Sequence, residues 1–200
     1  MRRYFSSVNK KLELTLAMIK PDIVSHPQRH AEIKNIILLN QFFIIQSKVL
    51  KWDREKAEEF YKEHKGKFFY NRLVGFMSSG PMSAHILARD SAIEHWRTLM
   101  GPTKTFKARH ENADTIRGMF GLTDTRNATH GSDSAESACK EIAFFYPEFD
   151  VDNWYTTQEH LFRTGKVLYC EETGIHRPTT NLDSTNNNDN KNNNNNNIHN

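Results

Sequence analysis

Cysteine is scarce in this chain, and no apolar run is long. Two cysteines, Cys139 and Cys170, among 200 residues are too few for a disulfide framework or a thiolate metal site, so we expect free thiols in a reducing compartment, by default the cytoplasm. The most apolar stretch, Ile36–Ile45, is interrupted by Asn40 and Gln41 and is shorter than the roughly 18 residues that a membrane span needs. We therefore expect a protein that neither depends on disulfides nor crosses a membrane.

Glycine-rich phosphate loops are also missing. The chain has 9 glycines, and the segment 101–105, GPTKT, lacks the G-x-x-x-x-G-K-[S/T] spacing of a P-loop. The glycine-rich loop and the H-R-D motif of protein kinases are absent from the sequence as well. These absences exclude the two most familiar scaffolds for phosphate transfer.

Acidic residues are absent from the first eleven positions, which hold two arginines and two lysines. Without those four charges the formal net charge of +3 becomes −1, so the body of the chain is near neutral and nucleic acid is not an expected partner. We expect residues 1–11 to form a basic arm, either disordered or a mitochondrial presequence, so the mitochondrion is the alternative compartment. The last 20 residues contain 12 asparagines, so residues 179–200 are predicted to be a disordered tail.

Strand and helix patterns alternate between these ends. Apolar residues occupy every second position in Leu12–Lys20, which predicts a buried strand that ends at Pro21. Further elements are predicted as strands at Phe42–Leu50, at Met82–Ala88 and before Thr129, and as helices at Arg29–Leu39, from a cap at Asp53 to His64, from a cap at Asp90 to Gly101, and at Ser134–Phe145. No glycine-rich turn follows the first strand. We therefore expect an α+β fold, a ferredoxin-like antiparallel four-stranded sheet covered by helices, over residues 12–150, with a C-terminal extension at 151–178.

A histidine near the end of this domain is a candidate for chemistry. His130 lies in the run NATHGSDS at 127–134, just before the last predicted helix. Free backbone N–H groups at a helix N-terminus favour phosphate, and Gly131 would let a ligand approach the backbone. Asp133 and Glu136 have the spacing of a capping pair. The alternative interpretation is an ordinary surface histidine in a loop.

Charged residues elsewhere suit a site of the same kind. Glu141 lies on the helix that follows His130, and a carboxylate that accepts the proton of one imidazole nitrogen leaves the other nitrogen nucleophilic. Lys20, Arg97 and Arg117 would neutralise a polyphosphate if they converged on one pocket, and arginine suits bidentate phosphate contacts. Taken singly, each of these four residues has the alternative of an ordinary solvated charge.

Four motifs together resemble those of the nucleoside diphosphate kinase family, over roughly Leu12 to Pro147. In family order they are IKPD at 19–22, SGP at 79–81, TIRG at 115–118 and NATHGSDS at 127–134. The resemblance implies a ferredoxin-like sheet and a ping-pong reaction in which a nucleoside triphosphate donates its γ-phosphoryl group to His130 and a nucleoside diphosphate then accepts it. It also implies that Mg²⁺ is carried on the nucleotide phosphates, with no metal site in the protein.

The resemblance further implies roles for residues that match the motifs. His130 would be the nucleophile, Glu141 would orient it, and Ser132 would support that carboxylate. The phosphates and the ribose would be held by Lys20, Arg97, Thr103, Arg117 and Asn127. The base would stack on Phe69, with Phe68 and Tyr70 as alternatives, although an aromatic cluster is by itself more typical of a core.

Several departures from the common form resemble a divergent subgroup called the type 6 form. The segment before Phe68 is shorter, and Lys65 stands where a tyrosine is expected after a histidine. The segment after Thr103 is longer, and the chain continues well beyond Pro147. The extra loop and the extension fall where the common form packs its subunits. The resemblance therefore implies a homo-oligomer but does not fix its size.

Two other functions are alternatives to the enzyme. The first is a non-catalytic module that kept the fold and senses nucleotides or binds a partner, which the presence of both His130 and Glu141 disfavours. The second is a nucleic-acid-binding regulator, whose binding would weaken steeply with salt. Incubation with labelled ATP, followed by a test for an acid-labile and base-stable phosphoprotein, distinguishes the enzyme from both.

Overall fold

The computed structural model describes residues 10–179. The sequence predictions for the basic arm before residue 10 and for the tail from residue 180 lie outside this range. Within it the strands are β1 (Glu13–Ile19), β2 (Phe43–Leu50), β3 (Met82–Arg89), β4 (Thr129–Gly131), β5 (Val167–Cys170) and β6 (Ile175–Pro178). The helices are α1 (Pro21–Val24), α2 (Pro27–Leu39), α3 (Arg54–Phe60), α4 (Tyr70–Met77), α5 (Ala92–Met100), α6 (Thr105–Glu111), α7 (Ile116–Phe120), α8 (Ala135–Phe145), α9 (Val151–Thr157) and α10 (Glu159–Arg163), and a 3-10 turn spans Lys62–His64. None of the helices in this range is long and apolar enough to cross a bilayer.

The main sheet contains four antiparallel strands in the order β2–β3–β1–β4. β1 lies between two neighbours, and every residue from Leu14 to Ile19 is buried, as expected for an apolar central strand. Its register pairs Leu16 with Ile86 of β3 and Met18 with His130 of β4. Helices cover both faces of the sheet. The predicted ferredoxin-like α+β fold is therefore confirmed.

The sheet separates two hydrophobic clusters. The first contains Leu16, Met18 and Ile86 and is covered by α3, α4, α8, α9 and α10. The second contains Ile19 and Leu87 and is covered by α1, α2, α5 and α7. Because successive side chains of a strand point to opposite faces, the position of a residue along its strand decides which helical layer it meets.

Two predicted helix caps are wrong. Asp90 lies one residue too early to cap α5, because the chain enters that helix through Ser91 in a left-handed conformation with no side-chain cap. The pair Asp133–Glu136 does not cap α8 either. Ser134 caps that helix instead, because its hydroxyl accepts a hydrogen bond from Ser137 N at 3.1 Å.

The C-terminal extension packs on the rest of the molecule. α9 and α10 contribute Trp154 and Phe162 to the first hydrophobic cluster. β5 and β6 form a hairpin whose second strand contacts β2, the edge strand of the main sheet. There Ile44 N donates a hydrogen bond to His176 Nδ1 at 3.0 Å. The extension thus shares the core and covers part of an exposed sheet edge.

Candidate active site

The register of β4 turns His130 toward α8. His130 lies opposite Met18 in the sheet, so the two side chains share a face, and Met18 belongs to the cluster that α8 covers. Glu141 lies on α8 and meets the imidazole from above the sheet. A strand of three residues and one helix therefore bring together two groups that are eleven positions apart in the sequence.

The imidazole, a carboxylate and a hydroxyl form a hydrogen-bonded chain. His130 Nε2 donates to Glu141 Oε1 at 2.8 Å, and the Ser132 hydroxyl donates to Glu141 Oε2 at 2.6 Å. Ser132 is fully buried and is fixed to β1, because Leu16 N donates to its hydroxyl at 3.3 Å. Within residues 10–179, His130 Nδ1 has no hydrogen-bond partner, and the side chain keeps 26% of its surface exposed. The second ring nitrogen is thus accessible to a ligand.

Glycine is required at position 131 for packing, not for the approach of a ligand as expected. A Cβ at this position would lie 2.3 Å from Trp96 Cδ1 and 2.9 Å from Met100 Cε, so no other residue fits without a shift of α5. The buried Trp96 indole N–H also donates to the carbonyl of His130 at 3.2 Å. The close packing of α5 on β4, rather than the approach of a ligand, explains this glycine.

A cavity of about 620 Å³ opens beside His130. Its lining includes eight of the residues singled out in the sequence: Lys20, Phe69, Arg97, Thr103, Arg117, Asn127, His130 and Glu141. Of the two alternatives for base stacking, Phe68 lines the cavity and Tyr70 does not. The fold thus gathers residues from β4, α5, α7, α8 and four loops around one space.

Lys20 is a buried cation at the inner end of the cavity. Its Nζ donates to Asn127 Oδ1 at 2.6 Å and to Thr125 O at 3.4 Å. Burial and the nearby Arg117 guanidinium lower the pKa of Lys20 to about 7, while the Asp22 carboxylate acts in the opposite direction. A phosphate in the cavity would stabilise the charged form, so this lysine is poised for an anionic ligand.

Arg117 is held by backbone carbonyls rather than by a carboxylate. Its Nη1 donates to Gly101 O at 2.7 Å and its Nη2 to Thr129 O at 3.1 Å. Burial and the charge of Arg97 lower the pKa of Arg117 to about 10, so the guanidinium stays charged at neutral pH. Neither arginine lies within 4.0 Å of a carboxylate in the described part of the chain. Arginines gathered without a salt bridge to a carboxylate favour binding of an anion.

Asn127 ties together the loops that carry the polar residues. Its Nδ2 donates to Thr103 O and to Asp124 O, both at 3.1 Å, while its Oδ1 accepts from Lys20. The hydroxyl of Thr103 lies 3.4 Å from Arg117 Nη1. Because both the oxygen and the nitrogen of its side-chain amide are hydrogen-bonded, Asn127 fixes Lys20 relative to the loop that follows α5.

Aromatic rings form the other end of the cavity. Phe68 is 93% exposed, and the half-buried Phe69 packs edge-on against both Phe68 and His64. Next to them, Arg72 Nε donates to the Thr125 hydroxyl at 2.9 Å and links α4 to the loop before β4. Aromatic side chains such as Phe68 and Phe69, which are exposed or half-buried in a cavity wall, suit stacking on a planar ligand.

Tyr61 is a residue of this site that the sequence analysis missed. It lines the cavity and is buried, and its hydroxyl has no partner within residues 10–179. Burial and the charge of Glu141 raise the pKa of Tyr61, so the hydroxyl stays a hydrogen-bond donor. A tyrosine was expected after His64, where Lys65 stands. Tyr61 lies three positions before His64, a spacing that places both side chains on one side of a helical turn. This spacing is the feature of the sequence that indicates Tyr61 as a site residue.

The fold and the cavity define an α+β protein that sets a histidine–carboxylate pair beside unpaired cations. The family model described as nucleoside diphosphate kinase matches residues 13–151, in agreement with the extent of the sequence resemblance. The chain therefore belongs to the nucleoside diphosphate kinase family.

Relatives with known sequence or structure agree with this assignment. Nucleoside diphosphate kinase 6 of Xenopus tropicalis is 56% identical over 84% of this chain and 94% of that protein. The protein of the same name from Homo sapiens is 54% identical over 82% of this chain and 89% of its own length. The Aquifex aeolicus nucleoside diphosphate kinase structure is 38% identical, with a TM-score of 0.65, over 68% of this chain and 95% of that one. The resemblance to the type 6 form is thereby confirmed.

Proposed function

We propose that this chain is an active nucleoside diphosphate kinase that works by a ping-pong mechanism through a phosphohistidine at His130. The observation that carries the proposal is the hydrogen bond from Nε2 to Glu141, which leaves Nδ1 unpartnered at a cavity lined by cations. Phosphoryl transfer through histidine needs a nucleophilic ring nitrogen and a group that holds the proton on the other ring nitrogen. It also needs positive charge around the phosphates.

In the first half-reaction, His130 Nδ1 attacks the γ-phosphorus of a nucleoside triphosphate. The N–P bond forms while the bond to the bridging oxygen breaks, and the nucleoside diphosphate leaves. Nε2 keeps its proton toward Glu141, so the carboxylate balances the positive charge that develops on the ring. In the second half-reaction, a β-phosphate oxygen of another nucleoside diphosphate attacks the phosphorus and the N–P bond breaks. Neither half-reaction requires a proton from solvent.

The cations contribute position and charge rather than covalent chemistry. The transition state of phosphoryl transfer is loose, so the protein acts mainly by holding the reacting groups in line and by neutralising the equatorial oxygens. Arg117 suits this task because two backbone carbonyls hold its guanidinium in place. We assign the phosphates and ribose to Lys20, Arg97, Thr103, Arg117 and Asn127, and the base to Phe69.

Magnesium belongs to the substrate in this proposal. Within residues 10–179, no three His, Cys, Asp or Glu side chains lie close enough to hold a metal ion. Mg²⁺ binds readily through substrate phosphates and keeps several waters, so the ion would enter on the nucleotide and add to the neutralisation of its charge.

Labelling with ATP that carries a radioactive γ-phosphate tests the proposal. The wild-type chain should become labelled in an acid-labile and base-stable form, and should pass the label to GDP. His130→Ala should fold normally, bind ADP and take no label. His110→Ala is the matched control, because His110 is exposed on α6 and does not line the cavity.

Three results would overturn the proposal. Label on a residue other than His130, or retention of wild-type turnover by His130→Ala, would exclude this nucleophile. ADP binding by a wild-type protein that never becomes labelled would favour the non-catalytic, nucleotide-binding module instead.

A further inference from the structure

The turn that leads into β4 contains a strained residue. Ala128 has a φ of +68°, in the left-handed region that a residue with a Cβ rarely adopts, and it is fully buried. It lies directly after Asn127 and two positions before His130. The conformation of this one residue therefore sets the direction of both side chains into the cavity.

The segment that ends β1 holds Ala128 from both sides. Lys20 N donates to the carbonyl of Ala128 at 2.9 Å, and Ala128 N donates to Asp22 Oδ2 at 3.3 Å. The second carboxylate oxygen, Oδ1, is buried and has no hydrogen-bond partner in the described range. Asp22 is thus the side chain that satisfies the buried N–H group of the strained residue.

Asp22 also lies in the electrostatic environment of Lys20. Two charged groups act on Lys20: the Arg117 guanidinium on α7, which disfavours its charge, and the Asp22 carboxylate on α1, which favours it. Burial raises the pKa of Asp22, while the charges of Lys20 and Arg126 act in the opposite direction. Within residues 10–179 no carboxylate lies within 4.0 Å of Lys20, so Asp22 supports its charge without pairing with it.

We propose that Asp22 is a positioning residue of the nucleotide site. It holds Ala128 in its left-handed turn, so that Asn127 and His130 face the same cavity, and its carboxylate favours the charged form of Lys20 that binds phosphates. This role deepens the proposed function and rests on it. An acidic residue is common in the first turn of a helix, but α1 consists of a single turn. The Asp22 carboxylate instead accepts a hydrogen bond from a backbone group 106 positions away.

A rescue experiment tests the positional part. Asp22→Ala leaves Ala128 N without its partner and should slow single-turnover phosphorylation of His130 by about 10- to 100-fold, as expected for the loss of a charge-assisted hydrogen bond. Glycine adopts positive φ without strain. Ala128→Gly in the Asp22→Ala background should therefore recover most of the rate, with Ala128→Gly alone as the baseline.

A second variant tests the electrostatic part. Asp22→Asn keeps an acceptor for Ala128 N but removes the charge, so Lys20 should lose its proton at a lower pH. The pH at which ADP affinity falls should shift downward in Asp22→Asn relative to the wild type. Asp114→Asn changes the net charge equally at an exposed position and should leave the profile unmoved.

The outcomes separate this role from a structural one. A wild-type rate in Asp22→Ala would overturn the proposal, and so would a loss that follows the melting temperature and that Ala128→Gly does not repair. An unshifted pH profile in Asp22→Asn would remove the electrostatic part. If the wild-type chain takes no label, the proposed function fails, and the ADP affinities of the same variants still decide whether Asp22 positions Lys20 and Asn127.

Discussion

Lys20 is a buried amine beside the Arg117 guanidinium. This arrangement predicts that nucleotide binding is coupled to protonation of Lys20. In the free protein the pKa of Lys20 is lowered to about 7, so at pH 8 the amine is mostly neutral. Phosphates raise this pKa, because they favour the charged form. ADP binding at pH 8 should therefore take up close to one proton, and ADP affinity should fall as the pH rises above about 7.

Calorimetry in two buffers of different protonation enthalpy measures this uptake. Lys20→Arg is the matched variant, because a guanidinium stays charged and has no proton to gain at pH 8. Equal proton uptake in the wild type and in Lys20→Arg would show that another group is responsible. No uptake in the wild type would mean that Lys20 is already charged in the free protein.

Glu141→Gln tests whether the charge of the carboxylate or only its shape matters to His130. The amide keeps the size and the hydrogen-bonding capacity but cannot balance a positive ring, and its NH₂ group stabilises the wrong tautomer. Phosphorylation in a single turnover should slow by roughly 10- to 100-fold, with ADP affinity nearly unchanged. Glu136→Gln, an exposed change on the same helix, should behave like the wild type. Equal losses in rate and affinity would instead indicate a disturbed pocket.

Motifs predicted the candidate site better than local patterns did. His130, Lys20 and Arg117 lie in sequence runs that match the family motifs, and all three line one cavity. Glu141 was ambiguous in the sequence, because only the pairing of Met18 with His130 shows which helix lies above the imidazole. Tyr61 was missed because its hydroxyl reaches the site from a segment whose length departs from the common form. Such contacts depend on tertiary packing, which periodicity does not encode.

The end of α5 is an element whose geometry requires glycine. Gly101 has a φ of +77°, a Cβ there would lie 2.3 Å from Thr115 Oγ1, and its carbonyl accepts from the Arg117 guanidinium. Gly101→Ala should therefore lower the free energy of unfolding by about 1–3 kcal/mol and also weaken ADP binding. Urea unfolding and ADP titration measure the two effects.

Gly75 provides the matched control for this substitution. It lies inside α4, and a Cβ there would have no neighbour within 4 Å. Gly75→Ala should leave the stability unchanged or raise it by up to about 1 kcal/mol, because alanine favours the helix and restricts the unfolded chain. A loss of stability from Gly75→Ala, or none from Gly101→Ala, would contradict this account.

Elements with strong periodicity could be predicted, and short elements could not. The strands β1, β2 and β3 and the helix α8 follow the apolar patterns in the sequence, and Asp53 caps α3 as expected. α1, α6, α7 and α10 have four to seven residues each, too few for a helical period to emerge. The predicted caps of α5 and α8 were wrong because several polar residues compete near each helix start. The left-handed conformation of Ser91 decides the start of α5, and the Ser134 hydroxyl caps α8.

At the scale of the whole molecule, the C-terminal extension belongs to the core although it lies beyond most of the family match. Trp154 and Phe162 are 1% and 2% exposed. The buried carboxylate of Glu159 accepts from Leu12 N at 2.9 Å and pairs with Arg163. A chain that ends at residue 150 would expose this apolar surface and leave the backbone N–H of Leu12 without its partner. That the chain forms a homo-oligomer stays a prediction.

Two truncations test how far the folded unit extends. Removing residues 180–200 should change the free energy of unfolding by no more than about 0.5 kcal/mol, because so asparagine-rich a segment has almost nothing to bury. Removing residues 151–200 also deletes Trp154 and Phe162, and each buried aromatic side chain is worth about 3–5 kcal/mol. That loss is comparable with the whole stability of a typical domain, so the shorter chain should show no cooperative unfolding transition.

Urea unfolding followed by far-ultraviolet circular dichroism distinguishes the two truncated chains. A chain of residues 1–150 that unfolds cooperatively at the wild-type urea midpoint would show that α9, α10 and the β5–β6 hairpin are a separable appendage. A large loss of stability from removing residues 180–200 alone would show that this tail binds the domain. With the extension as part of the core, only the longer deletion should abolish folding. ADP binding should disappear with it, because the cavity depends on β1, whose start packs in the same hydrophobic cluster as the extension.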